Sequence, residues 1–158
     1  MRIYLAQHGL AIAEEVDPAR PLSPRGRADV EALARLLGEA GVRVGTVVHS
    51  GKARAEQTAA VLARHLLPAG AAAARSGLGP KDPVEPVAEW VLGLTADTLI
   101  AGHQPFLGRL ASHLLAGDTE RVALAFEPGS IACLERETGE EWRLLWMVRA
   151  ELVRAARD

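Results

Sequence analysis

The chain has 158 residues and a mass of 16.8 kDa, the size of one domain that can bury roughly two-thirds of its unfolded surface. Its 49% hydrophobic and 24% charged residues, with a mean hydropathy of +0.07, exclude disordered and collagen-like classes. Lys and Arg number 18 against 20 Asp and Glu, and the resulting charge of −2 gives no electrostatic basis for binding nucleic acid or an acidic membrane.

Met1 to Ala6 is a short apolar run with β-branched and aromatic members. It predicts a strand that enters a loop at Gln7-His8-Gly9, and the loop lasts to Leu22. Ser23-Pro24 has the form of an N-cap followed by proline at the first helical position, and Val30, Leu33 and Leu37 form the stripe of a helix ended by Gly38 and Gly41. Val44 to His49 is Val-rich and unbroken, as expected of a strand buried on both faces of a parallel sheet. Between Lys52 and Leu67, Thr58, Val61, Leu62 and His65 repeat the helical period, and Pro68-Ala69-Gly70 closes that helix. Ala71 to Ala74 suits a poor strand or a helix tail and is read as a short strand before the turn Gly77-Leu78-Gly79-Pro80. Val87, Trp90, Val91 and Leu94 predict a helix running to about Leu94, and Thr98 to Ala101 a further strand. Leu107, Leu110 and Leu114 predict a helix with Gly117 beyond its end. Ser130 to Arg136 and Trp142 to Val148 flank Thr138-Gly139-Glu140 as an antiparallel hairpin, and Glu151 to Arg157 is a polar helical tail. The expected fold is therefore α/β, one domain over residues 1–158. It has three layers, a mostly parallel sheet with helices on both faces and a C-terminal antiparallel hairpin.

In an open α/β sheet, ligands bind beyond the carboxyl ends of the strands. Three such ends carry Gln7-His8-Gly9, then His49-Ser50 with Arg54 one turn on, then Gly102-His103-Gln104. Two of them open helices, whose free N–H groups and positive dipole end favour an anion. Imidazoles and a guanidinium on one rim point to a phosphoryl group, whose transfer needs an in-line nucleophile and fixed positive donors. His8 is the candidate nucleophile, because a neutral imidazole is available near neutral pH. Arg54 is the candidate clamp, since its planar fork matches two phosphate oxygens. His103, if protonated beside the anion, adds a charged hydrogen bond and a proton source, while Gly9 keeps the backbone close.

Strand-Gln7-His8-Gly9, Arg20-Pro21-Leu22-Ser23-Pro24-Arg25-Gly26, Val48-His49-Ser50 with Arg54-Ala55-Glu56-Gln57-Thr58, and Gly102-His103-Gln104-Pro105 together resemble the histidine phosphatase superfamily. Within it they are most similar to the small SixA-like phosphohistidine phosphatases, and the four motifs span almost the whole chain in order. The resemblance implies a phosphoglycerate mutase-like fold and a cofactor-free phosphatase in which His8 becomes phosphorylated. It implies that Arg54 and His103 belong to the phosphate pocket, with Arg20 and Ser50 in support. The implied substrate is a histidine-phosphorylated signalling or carrier protein, with a small phosphoester as the alternative. The long insertions of the superfamily's sugar-phosphate mutases are absent, so an open rim suited to a protruding phosphohistidine is expected.

One position departs from the family pattern, which opens Arg-His-Gly where this chain has Gln7. A neutral amide still donates to a phosphate oxygen, at roughly 0.5–1.5 kcal/mol against about 1.5–3 for a charged donor. Slow turnover, or a pseudoenzyme that binds phosphate or a phosphoprotein without turnover, follows as the alternative, and Arg20 or Lys52 are the candidates to compensate. Asp82 and Glu85 are the nearest carboxylates to a general-acid position, without a clear assignment. His49 is balanced between strand terminus and pocket wall, and His65 and His113 sit on helical surfaces as structural residues. A metal site from His8, His49 and His103 lacks the accompanying carboxylate or Cys spacings. Gly45 to Lys52 imitates a nucleotide-binding loop but is one residue too long, with Ala53 in place of the magnesium-binding hydroxyl. Cys133 has no partner for an internal disulfide and is expected to be a packed, inert thiol. The early polar residues Gln7 and His8 argue against a signal peptide, and no apolar run nears the roughly 20 residues of a membrane span, so a reducing cytoplasm is the expected compartment.

Overall fold

A computed structural model describes residues 1–157. Six strands form one sheet: β1 (Arg2–Gln7), β2 (Thr46–His49), β3 (Ala73–Ala74), β4 (Thr98–Gly102), β5 (Ile131–Glu135) and β6 (Arg143–Val148), in the order β3-β2-β4-β1-β5-β6. The first four strands of that order run parallel, and β5 and β6 are antiparallel to their neighbours. Five helices accompany them: α1 (Pro24–Glu39), α2 (Ala53–Leu66), α3 (Glu85–Leu92), α4 (Phe106–Ala116) and α5 (Ala150–Arg157).

Side-chain alternation divides the core into two halves. Tyr4, Leu99, Ala101, Ile131 and Cys133 face one way and pack with α1 and α2, while Ile3, Leu5, Ile100, Ala132 and Leu134 face the other and pack with α3 and α4. The expected three layers and doubly covered sheet follow. Register sets the rim: Gln7 pairs Gly102, His49 pairs Ala101, and His49 pairs Ala74. The carboxyl ends of the four parallel strands are therefore level, and the segments that leave them emerge side by side.

The element bounds move by a few residues from expectation. β2 starts at Thr46 instead of Val44, because the Val44 N–H donates to Leu66 and the Gly45 N–H to Asp97. α3 ends at Leu92, and Gly93 caps it, so Leu94 packs on the core from beyond the helix. α5 is no mere polar tail: Ala150 and Val153 are buried, Val153 in the α1–α2 half of the core, and Arg154 pairs with Asp29 of α1 at 2.7 Å. Ala150 and Val153, three positions apart with Leu152 exposed between them, make too short a stripe to predict docking. Ser23 caps α1 as expected, its Oγ accepting the Gly26 N–H at 3.0 Å. Among the described residues, no helix is long and apolar enough to cross a membrane.

Candidate active site

His8 is the first residue beyond β1, and both its backbone groups are held. Its N–H donates to the Gly102 carbonyl at 3.0 Å, and its carbonyl accepts the Gly129 N–H at 3.1 Å. The ring is also fixed, with Nδ1 lying 2.7 Å from the Gly9 carbonyl. A carbonyl only accepts, so Nδ1 carries the hydrogen and the Nε2 lone pair is free. Burial lowers the His8 pKa below its ordinary value, and the positive charges of Arg54 and Arg20 lower it further against the opposing Gly9 bond. The lowered pKa favours the neutral ring, and the Gly9 bond holds His8, the candidate nucleophile, in the tautomer whose Nε2 is unprotonated.

Arg54 enters from the first turn of α2. Thr58 Oγ donates to the Arg54 carbonyl at 2.7 Å and accepts the Gly9 N–H at 3.0 Å, which ties the helix to the His8 loop. Nε of Arg54 is buried without a partner. Burial, and then Arg20, hold its guanidinium below the usual value. His103 follows β4 and is 2% exposed, with Nε2 at 2.6 Å from Ser50 Oγ and Nδ1 buried without a partner. Its pKa is pushed down to about 3, first by burial and then by His8, Arg54, Lys52 and Arg20. The two imidazoles stand 5.2 Å apart between ring centres, tilted by 55°. Gln7 is 9% exposed, and its Oε1 is buried and unpartnered; turned over, the same amide offers its NH2 group. Arg20 adopts a left-handed backbone (φ 49°) and donates from Nε to the Ile12 carbonyl at 3.3 Å.

The fold therefore brings Gln7, His8, Gly9, Arg20, Ser50, Lys52, Arg54 and His103 to one rim. The charges that bear on His8 are both positive, and two buried nitrogens, Nε of Arg54 with its N–H and Nδ1 of His103, lack partners. An anion is the ligand that satisfies such a set. In outline the same sheet occurs in the protein histidine phosphatase SixA complexed with tungstate, which is 24% identical, superimposes with a TM-score of 0.87, and covers 97% of this chain and 99% of that one.

The chain has the histidine phosphatase superfamily fold.

A candidate α-ribazole-5′-phosphate phosphatase from Escherichia coli shares the histidine phosphatase fold at 17% identity and a TM-score of 0.74, over 95% of this chain and 98% of that one. By sequence, the chain is 30% identical over 127 residues to an uncharacterized protein of Picosynechococcus, a match covering 75% of this chain and 76% of the other, and it belongs to that protein's family. No protein-family model matches the chain.

Within this histidine phosphatase fold the remaining candidates separate. Asp82 accepts the Gly79 N–H at 2.8 Å and so closes a turn. Glu85 starts α3 on the surface. His49 accepts the Gly51 N–H on Nδ1 at 3.0 Å and lines a separate cavity of about 310 Å³ with Glu56 and Arg64. It is a strand terminus that holds the Ser50 turn. His65 bonds Glu31 at 2.7 Å, a structural pair. Cys133 is fully buried with its thiol pushed up to about 11 by burial, as an inert core residue should be. Gly9 is small for a reason other than phosphate approach: a Cβ there lies 2.7 Å from Val30 and 2.9 Å from the Gly26 carbonyl, so α1 packs directly on the loop.

Sequence reasoning missed three supports. Thr58 looked like a stripe residue, Gln57 Oε1 accepts the Leu22 N–H at 2.8 Å, and residues 129–130 bond both carbonyl and N–H of Gln7. Only the polar character of Gln57 and Thr58 on an inward helical face, and the Pro-Gly pair before Ser130, signalled them. A larger cavity of about 440 Å³ lies by His113 and Trp142. It faces the C-terminal end of α4, which starts at the rim and runs away from it, so this cavity is remote from His8.

Proposed function

We propose that this protein hydrolyses phosphoryl groups from protein histidines through a phosphohistidine intermediate on His8. Nε2 of His8 attacks phosphorus; the His8 N–P bond forms as the substrate P–N bond breaks. The departing imidazole keeps the bonding pair and, already protonated on its other nitrogen, leaves as the neutral ring. Water then attacks the phosphorus of phospho-His8, the second P–N bond breaks with its electron pair returning to Nε2, and both of the water's protons leave with dihydrogen phosphate while His8 returns to its starting tautomer. The Nδ1–H bond to Gly9 holds the ring through both steps. Arg54, Gln7 and His103 bind the phosphoryl oxygens, and Arg20, Ser50 and Lys52 support them.

The observation that carries the protein-histidine reading is electrostatic. The charges acting on His8 are cationic, and the nearest sequence candidate for an acid, Asp82, is committed to a turn. A basic alkoxide leaving group needs a general acid, whereas a protonated phosphoimidazole departs without one. The test is rapid acid-free quenching after mixing with a histidine-phosphorylated protein or acetyl phosphate. Acid-labile phosphate should appear on wild type and not on His8→Ala; equal labelling of the two removes the proposal.

Gln7 favours a second reading, a phosphate-binding protein without turnover, because the pocket has one positive charge fewer than the family pattern. Binding without hydrolysis by wild type, with hydrolysis appearing in Gln7→Arg, selects it.

A further inference from the structure

The parallel register of β2 and β3 pairs His49 with Ala74. Its next step places Arg75 beside Ser50, and the Arg75 N–H donates to the His49 carbonyl at 2.9 Å. Arg75 thus leaves the sheet on the same rim as His8 and His103, at its open β3 edge. Its guanidinium carbon lies 4.0 Å from the centre of the Trp90 ring, a stacked cation on an α3 residue that packs against the core. Nε is buried with no acceptor. Among the described residues no carboxylate pairs with it, whereas Arg2, Arg64, Arg149 and Arg154 each have one at 3.0 Å or less.

We propose that Arg75, seated on Trp90, is a specificity residue that binds a carboxylate of the phosphorylated protein substrate, a short distance from the phosphohistidine. The inference rests on the protein-histidine reading above for the source of that carboxylate. A half-buried guanidinium stacked on a ring but without a counter-charge still lacks hydrogen-bond acceptors, and a carboxylate supplied by a partner provides them. Stacking fixes the plane of the fork, so little side-chain freedom is lost when a carboxylate docks on the terminal amino groups. Three strand spacings separate β3 from β1, about 14 Å, the reach of roughly four residues of extended peptide. The acidic residue is therefore expected three or four positions from the phosphohistidine.

The test uses the full chain and two peptides that carry a non-hydrolysable phosphonate analogue of phosphohistidine, one with Glu at three and four positions to either side, the other with Gln there. Calorimetry should give about tenfold tighter binding of the Glu peptide by wild type. Arg75→Gln should abolish that preference and leave the Gln-peptide affinity unchanged, Arg75→Lys should keep part of it, and Trp90→Leu should weaken it with Arg75 intact. Equal affinities on wild type, or Arg75→Gln weakening both peptides alike, overturns the assignment. A preserved Glu preference with no hydrolysis of the corresponding phosphohistidine peptide sustains the role of Arg75 while removing the hydrolytic reading. Failure to bind either peptide removes both.

Discussion

Ser50 Oγ and His103 Nε2 lie 2.6 Å apart, so the residue that follows β2 fixes the imidazole that follows β4. The other ring nitrogen is buried and empty-handed, and the ring is held neutral with a pKa near 3. An arriving dianion reverses this balance, because it favours the protonated ring.

That reversal has a measurable sign. In the unfolded chain a histidine titrates near 6.5, whereas folded His103 does so at about 3. The stability it contributes is complete above pH 6.5 and is lost as pH falls towards 3, since the unfolded chain then binds the extra proton. His8 shifts in the same direction. Sulfate in the site should raise the pKa of His103, so the rise in Tm it produces is expected to be larger at pH 5.5 than at pH 8. His103→Gln should remove most of that difference in thermal melts.

His8 titration offers an independent check on Arg54. Removing a nearby cation makes protonation easier, so the His8 pKa, below the ordinary value in wild type, should rise in Arg54→Gln. Histidine resonances followed by NMR across pH 4–8 report it directly. An unchanged His8 midpoint would place Arg54 outside the pocket.

Gln7→Arg restores the charge that the family pattern carries. Transition-state donors are worth about 10²–10³ in rate, and kcat on a histidine-phosphorylated protein should rise by up to about 10²-fold. A fall in kcat would mean that Gln7 is already matched to its site.

Gly26 gives a prediction opposite in sign to helix propensity. Alanine for glycine inside a helix ordinarily stabilises by up to about 1 kcal/mol. Here the new Cβ would stand 2.0 Å from the Leu10 carbonyl oxygen. Gly26→Ala should therefore destabilise by about 1–3 kcal/mol, read as a lower urea midpoint. It should also cost activity, because Leu10 belongs to the loop that begins with His8.

Cys133 should resist alkylation in the folded protein, being fully buried with its thiol pushed up to about 11. Iodoacetamide labelling that tracks urea unfolding, with full activity in Cys133→Ala, is the expected result.

Most of the sheet was legible in the sequence because its signals are local. Val44 to His49 announced a buried strand by composition, Ser23-Pro24 a helix start by capping chemistry, and Gly117 a helix end that the structure shows in a left-handed C-cap (φ 71°). The level strand ends followed from the βα alternation, and so did the meeting of His8, Arg54 and His103. Val153 was missed because Ala150 and Val153 span less than one turn and show no period, and its burial depends on α1 lying beneath it. Arg75 was missed because nothing in Ala73-Ala74-Arg75-Ser76 marks it out; its meaning comes from Trp90, 15 positions on in the chain.

Taken alone, the order of residues determined which groups would line the rim, since periodicity and turn chemistry are written within a few neighbouring positions. Where the protons sit was settled only by the folded chain. The tautomer of His8, the neutrality of His103 and the unanswered donors of Arg54 and Arg75 depend on burial and on charges brought together from distant segments, and these exist only once the backbone has closed around them.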